Sequence, residues 1–171
     1  PPGTVPKRGC SVVGEGPCSH GCCLCYWSGE VSAASSTLLL EPIGGIAGDM
    51  LLGLLIDLGA PLATIRAELQ SLDLSDWSIE LESTTRRSVG CTRVRVGVPR
   101  ESEHRHLPEI LARIERSTLP RGAKARATQT FELLAQAEGR VHRVPPEQVH
   151  FHEVGAADAI LDICGCALAL E

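Results

Sequence analysis

From about residue 37 onward, apolar positions recur with short, regular periods, and those periods predict a succession of compact elements. The apolar run at residues 37–40 predicts a short buried strand, and residues 42–48 a glycine-rich turn. Residues 49–58 have helical spacing, with Met50, Leu51, Leu54, Leu55 and Leu58 apolar; Gly59 follows, where glycine commonly ends a helix. Pro61 suits a first helical turn and opens a second predicted helix through about residue 72, with Leu62, Ile65 and Leu69 on one face.

Residues 77–82 and 91–98 alternate with period two, Val94, Val96 and Val98 pointing one way and Arg93, Arg95 and Gly97 the other. The two segments predict a hairpin, joined around residues 87–90 by a loop longer than the tightest turns. Beyond a polar connector at residues 99–106, three helices are predicted. They cover residues 108–116, residues 120 to about 138 with Ala125, Phe131, Leu134 and Ala135 as core candidates, and residue 156 or 157 to the end. No internal repeat is present. The fold expected is α/β, a small mixed sheet with a β-hairpin and several packed helices.

Residues 1–36 break this order. They are rich in Pro, Gly, Ser and Cys, and hold five of the eight cysteines: Cys10, Cys18, Cys22, Cys23 and Cys25. A zinc site of Cys18, His20, Cys22 and Cys25 is conceivable, but a second, separated ligand pair is lacking. The expectation is a disordered or artefactual Cys-rich leader before a domain at 37–171. The chain starts on Pro and stops inside a helical pattern, so a fragment truncated at its C-terminus is expected.

The chain's 171 residues are enough for one domain core, and aromatics at 3% leave that core to Leu, Ile, Val and Ala. The net charge of −5 argues against a nucleic-acid partner. The most apolar stretch, residues 37–59, is interrupted by Glu41, Asp49 and Asp57, so no membrane span is expected. With no signal-peptide pattern, the cytoplasm is the default compartment. Oligomeric state stays open, self-association included.

Three segments carry candidate chemistry. Gly44, Gly45 and Gly48 with Asp49 lie between a predicted strand and helix, where a backbone can approach an anion; a plain tight turn explains them equally well. His104 and His106 form a His-x-His element in the connector, against which a solvated loop is the plainer reading. His150 and His152 repeat that spacing beside Glu153, and the apolar helix that follows is interrupted by Asp158 and Asp162. Four residues apart, those carboxylates share a face, and like charges so placed are destabilising unless a cation or donor meets them. Gly165 on that face would leave room for a ligand. Carboxylates beside imidazoles suit Mn, Mg, Ni or Zn. Cys164 and Cys166 read as buried small residues. Arg86, Arg87, Arg93, Arg95, Arg100 and Arg105 form a locally basic stripe that suits an anionic small molecule or, equally, a solvated strand face.

Gly44-Gly45-Ile46-Ala47-Gly48-Asp49-Met50-Leu51-Leu52-Gly53 with Asp57-Leu58-Gly59, Glu103-His104-Arg105-His106-Leu107, and Val149-His150-Phe151-His152-Glu153-Val154-Gly155-Ala156-Ala157-Asp158 with Ile160-Leu161-Asp162-Ile163 resemble the LarC family of nickel insertion proteins. The resemblance runs in order over about residues 37–171. It implies insertion of nickel into pyridinium-3,5-bisthiocarboxylic acid mononucleotide by a lyase-class nickel chelatase. It also implies dependence on CTP with Mn or Mg, and a product that serves lactate racemase-type enzymes. The region that binds CTP in the family has no counterpart in this chain. On this reading His150, His152, Asp158 and Asp162, with His104 and His106, bind metal, Glu153 and Asp158 are catalytic, and Gly44, Gly45, Gly48 and Asp49 hold a ligand. The alternatives are a non-catalytic nickel-binding or delivery module and an inactive fragment. The chain departs from the family at Glu41-Pro42-Ile43-Gly44 and at Ala47, and it lacks the family's His-rich insert.

Overall fold

The computed structural model describes residues 37–42, 44–86, 88–98, 105–151 and 157–171, apart from the side chains of Arg86 and His150. The Cys-rich leader, His104, His152 and Glu153 lie outside the described residues. The chain divides into two compact units, Pro1–Glu41 and Pro42–Glu171. Of the first, residues 37–41 are described. They take no helix or strand, and Leu38, Leu39 and Leu40 are exposed, so the buried strand expected there is not formed. Strand burial requires a neighbour to take the backbone hydrogen bonds, and neither strand pair includes this segment.

In the second unit, helix α1 (Gly48–Asp57) leads to α2 (Leu62–Leu69), which tightens into a 3₁₀ turn (Gln70–Leu72). Strands β1 (Ser78–Arg86) and β2 (Val89–Gly97) form the hairpin. Then come the short strand β3 (Arg105–His106), α3 (Leu107–Arg116), α4 (Arg121–His142), a 3₁₀ turn (Pro146–Gln148), β4 (His150–Phe151) and α5 (Ala157–Ala169). The strands make two antiparallel pairs, β1 with β2 and β3 with β4. The α/β character, hairpin and packed helices are therefore as the periodicity predicts. No helix among the described residues is long and apolar enough to cross a membrane.

Local differences have local causes. Arg86 pairs with Val89, so only two residues join the hairpin strands, with Ser88 at φ 66°. The loop is tight, not long: left-handed backbone in a two-residue turn matches the twist of the flanking strands. Helix α4 runs one turn further than expected, to a left-handed C-terminal cap at Arg143 (φ 57°). Its buried stripe is Ala123, Ala127, Phe131, Ala135 and Gly139, a strict spacing of four, which leaves Ala125 exposed. In α1 the buried side chains are Leu52 and Leu55, while Met50 and Leu58 are exposed.

The core lies where α5 meets α1, α2 and α4. Ile160, Leu161 and Cys164 of α5 are fully buried with Leu52, Leu69 and Phe131. Phe131 meets Phe151 edge-on at 6.3 Å between ring centroids, tying α4 to β4. Arginines pin the periphery. Arg66 donates to the carbonyl of Ile79, joining α2 to the hairpin, and Arg113 donates to the carbonyls of Leu72 (2.7 Å) and Asp73.

Because Phe131 is fully buried and bridges two elements, Phe131→Ala is expected to lower unfolding free energy by about 3–5 kcal/mol in urea titrations. Ala125→Ser, on the exposed face of the same helix, should stay within about 0.5 kcal/mol. Similar losses at both positions would contradict this assignment of the buried stripe.

Candidate functional site

Two of the three chemistry-bearing segments converge. Asp49 is the second residue of α1, Asp158 the second of α5, and Asp162 lies one turn further along α5. All three line one open cleft of about 580 Å³, whose other lining comes from the hairpin, including Arg93 and Arg95. The glycine turn therefore belongs to the same site as the α5 acids. Ser78 and Glu80 also line the cleft, and neither stands out in a half-exposed alternating strand.

Glycine makes this convergence possible in two ways. Gly44 and Gly45 have φ of 90° and 98°, and a Cβ on either would meet nothing within 4 Å, so glycine is needed there for backbone conformation. Gly48 is the reverse. A Cβ on it would lie 2.7 Å from Asp162 Cβ and 2.8 Å from Asp162 Oδ2, so glycine is needed there for space. The first residue of α1 thus sits directly on Asp162.

This contact also bears on an uncapped helix start. The N-cap residue Ala47 has no side-chain acceptor for the free N–H groups of the first helical turn. Asp162, from another helix, faces this helix start instead, and the Asp49 backbone N–H favours its ionised form. Asp49 and Asp158 each accept the N–H of the residue that follows them, at 2.8 Å. Helix dipoles favour carboxylates at these positions.

Electrostatically, the cluster is poised. Burial, then the charges of Asp49 and Asp158, push the Asp162 carboxyl up from 3.8 to about 6, although the Asp49 N–H pulls the other way. Asp162 Oδ1 is buried without a hydrogen-bond partner; Glu138 Oε2 is the other such atom among the described residues. None of the three acids forms an ion pair among the described residues, even though two arginines line the same cleft. Arg95 Nε instead donates to Glu82 at 2.8 Å.

Gly165 does not open room for a ligand. A Cβ there would lie 3.2 Å from Leu52 Cδ2, so its space is used by the packing of α1 on α5. The residue that continues the acid face is Cys166, four positions beyond Asp162, whose thiol donates to the Gly48 carbonyl at 3.4 Å. The i, i+4 series 158, 162, 166 was the available signal for it. Cys164 and Cys166 are buried, as expected, and burial pushes both thiols up to about 12.

The histidine segments meet in sequence register. β3 pairs with β4, with Arg105 opposite Phe151 and His106 opposite His150, so one histidine of each His-x-His segment is brought opposite the other through the backbone. His106 is half-buried and is the N-cap of α3, with its backbone N–H donated to Glu109 at 3.4 Å. Among the described residues, no three His, Cys, Asp or Glu side chains form a group that could hold a metal ion by themselves. The oxygen donors of the cleft, with an unpartnered buried carboxylate oxygen, still suit part of the shell of a hard or borderline divalent ion.

Comparison with known proteins bears on these residues. The nickel insertion protein family matches residues 38–171. A pyridinium-3,5-bisthiocarboxylic acid mononucleotide nickel insertion protein of Staphylococcus epidermidis is 40% identical over 137 residues, covering 80% of this chain and 35% of the relative. Its counterpart in Geobacillus kaustophilus is 38% identical over 143 residues, covering 78% of this chain and 35% of the relative. The chain thus spans about a third of the length of the curated relatives it matches. No solved structure matches it.

The raised Asp162 value sets a stability signature. Between about pH 4 and pH 6 the folded protein holds more protons than the unfolded chain, so this group's contribution falls as pH rises through that window, and its penalty is complete above pH 6. Asp162→Asn, which keeps an acceptor for the Asp49 N–H, is expected to be more stable than the parent by roughly 1–2 kcal/mol at pH 7, partial exposure having reduced the full effect. The gain should vanish near pH 4. Denaturant titrations at the two pH values check this, and an equal difference at both would refute it.

Proposed function

We propose that this chain, which belongs to the nickel insertion protein family, forms the part of a nickel insertion enzyme that receives nickel and its organic acceptor. The substrate is pyridinium-3,5-bisthiocarboxylic acid mononucleotide, which the names of two relatives specify. The observation that carries the reading is the cleft itself. Three carboxylates from two helices gather around one buried, unpartnered carboxylate oxygen, and arginines line the same space. A divalent cation among the acids and an anionic substrate near the arginines would satisfy both sets.

Nickel is cargo here, and we assign its ligands to His150, His152, Asp158 and Asp162, with His104 and His106 on the partner segment. The pairing of β3 with β4 supports a joint role for the histidines. Metallation replaces a ring C–H bond with a carbon–nickel bond, adds two sulfur–nickel bonds, and requires a base for the released proton. Glu153 is assigned as that base and Asp158 as a catalytic neighbour. Gly44, Gly45, Gly48 and Asp49 hold the substrate against the N-terminus of α1. CTP with Mn or Mg, a lyase-class reaction, a cytoplasmic setting and a lactate racemase-type acceptor of the product complete the reading, and rest on the family resemblance. A second reading is a non-catalytic nickel-delivery module. It binds nickel and passes it on, without CTP-dependent product.

In the complete protein, the double variant Asp158→Ala, His152→Ala is expected to abolish nickel insertion, read as loss of nickel from the isolated mononucleotide product. Unchanged insertion would sink the site assignment. Calorimetry of this chain with nickel and with manganese should show binding that weakens roughly 10- to 100-fold in Asp158→Ala. Nickel binding by the complete protein with no product, even when CTP is supplied, selects the delivery reading.

A further inference from the structure

The cleft carries both signs of charge without letting them neutralise each other, and its two arginines are not equivalent. Glu82 lies directly opposite Arg93 in the hairpin register, with Glu80 opposite Arg95. Yet the Glu82 carboxylate reaches diagonally and takes Arg95, at 2.8 Å. Arg95 is thereby both fixed and compensated. Arg93, exposed on the same strand and lining the same cleft, has no hydrogen-bond or ion-pair partner among the described residues. It shares the open cleft with Glu80 of its own hairpin and with Asp49, Asp158 and Asp162 of the helices, none of which reaches it.

A ligand that fills such a space must carry separated charges: a cationic or metal-bearing portion for the acids, and an anion for the guanidinium. A pyridinium mononucleotide that carries nickel on its thiocarboxylates has that form, since metal and ring nitrogen bring positive charge to one end and the phosphomonoester, a good partner for a planar guanidinium fork, an anion to the other. We propose that Arg93 is the anion-recognition residue of the cleft. It takes the phosphate of a pyridinium mononucleotide, while the positive portion of the ligand lies toward Asp49, Asp158 and Asp162. This inference rests on the reading of the cleft as a nickel-insertion site and adds to it the group that orients the organic substrate.

The test uses the 171-residue chain and commercially tractable probes. Nicotinic acid mononucleotide is titrated against nicotinic acid riboside, which lacks the phosphate, and against CTP. The parent is expected to prefer the mononucleotide to the riboside. Arg93→Gln should lose roughly 10- to 100-fold in mononucleotide affinity and leave riboside binding unchanged. Arg93→Lys should recover part of the loss, because it restores the charge without the fork. Arg95→Gln serves as the neighbouring control and should have the smaller effect. Equal binding of mononucleotide and riboside by the parent, no binding of either at millimolar concentration, or equal mononucleotide affinity in parent and Arg93→Gln overturns the proposal. Loss of CTP binding in Arg93→Gln with mononucleotide binding retained also overturns it, and reassigns the residue to a nucleoside triphosphate. A nickel titration run in parallel separates this failure from that of the underlying reading. Arg93→Gln should leave nickel affinity unchanged, whereas Asp158→Ala should not.

Discussion

The contact between Gly48 and Asp162 governs the architecture of this molecule. With no side chain at the start of α1, the helix backbone settles onto a carboxylate of α5, whose Oδ2 lies 2.8 Å from where a Cβ would be. The same economy recurs along the helix. Gly165 of α5 makes room for Leu52, and Gly53 of α1 lets the helix approach the Thr92 carbonyl and Val94 of the hairpin. Helix α1 is therefore held between α5 and β2 by close backbone approaches, and its N-terminus can point only at the acid face of α5. The site exists because the packing exists.

That packing concentrates negative charge, and the surroundings only partly offset it. One backbone N–H from α1 stabilises Asp162, and the helix starts favour Asp49 and Asp158. Burial and mutual repulsion nevertheless hold Asp162 near pH 6, leaving it ionised at neutral pH against its own environment. Cys166 packs beside it without adding charge, since burial keeps the thiol neutral. A fold selected only for stability would place an amide at 162. Retaining an acid there is the local conflict between stability and chemistry that functional sites display.

Much of this was legible in the residues. Helices α1 to α5 and the hairpin follow from periods of 3.6 and two, although in α1 the pattern does not record which face is buried and α5 is buried on most sides. Where burial is set by a partner distant in sequence, the pattern fails. The run at 37–40 is apolar enough for a strand but takes none, and Ala125 belongs to no buried stripe because the faces of α4 are fixed by its neighbours. The acids were visible as an intrusion on an apolar helix, but their union with Asp49 depends on a crossing of α1 and α5 that no local spacing encodes. Gly165 was misjudged for the same reason, since a small residue on a helix looks alike whether it faces a ligand or a leucine. His106 and His150 repeat one motif, and only the ladder between β3 and β4 reveals that the repeats are neighbours.

The separation of charge across the cleft follows from how its two walls are anchored. Asp49, Asp158 and Asp162 ride on helices locked together by glycine contacts and the buried core, while Glu80 is on the hairpin wall. The arginines ride on a hairpin paired continuously from Ser78 with Gly97 to Arg86 with Val89, and fastened to α2 through the Arg66 contact with Ile79. Neither wall depends on attraction between the charges for its position. Opposite charges free to relax would collapse into ion pairs, and their desolvation would leave nothing for a ligand. Held apart by the backbone packing of α1 on α5 and on β2, they keep their fields directed into the space between, which is the preorganisation that binding a zwitterion or a metal–anion pair requires.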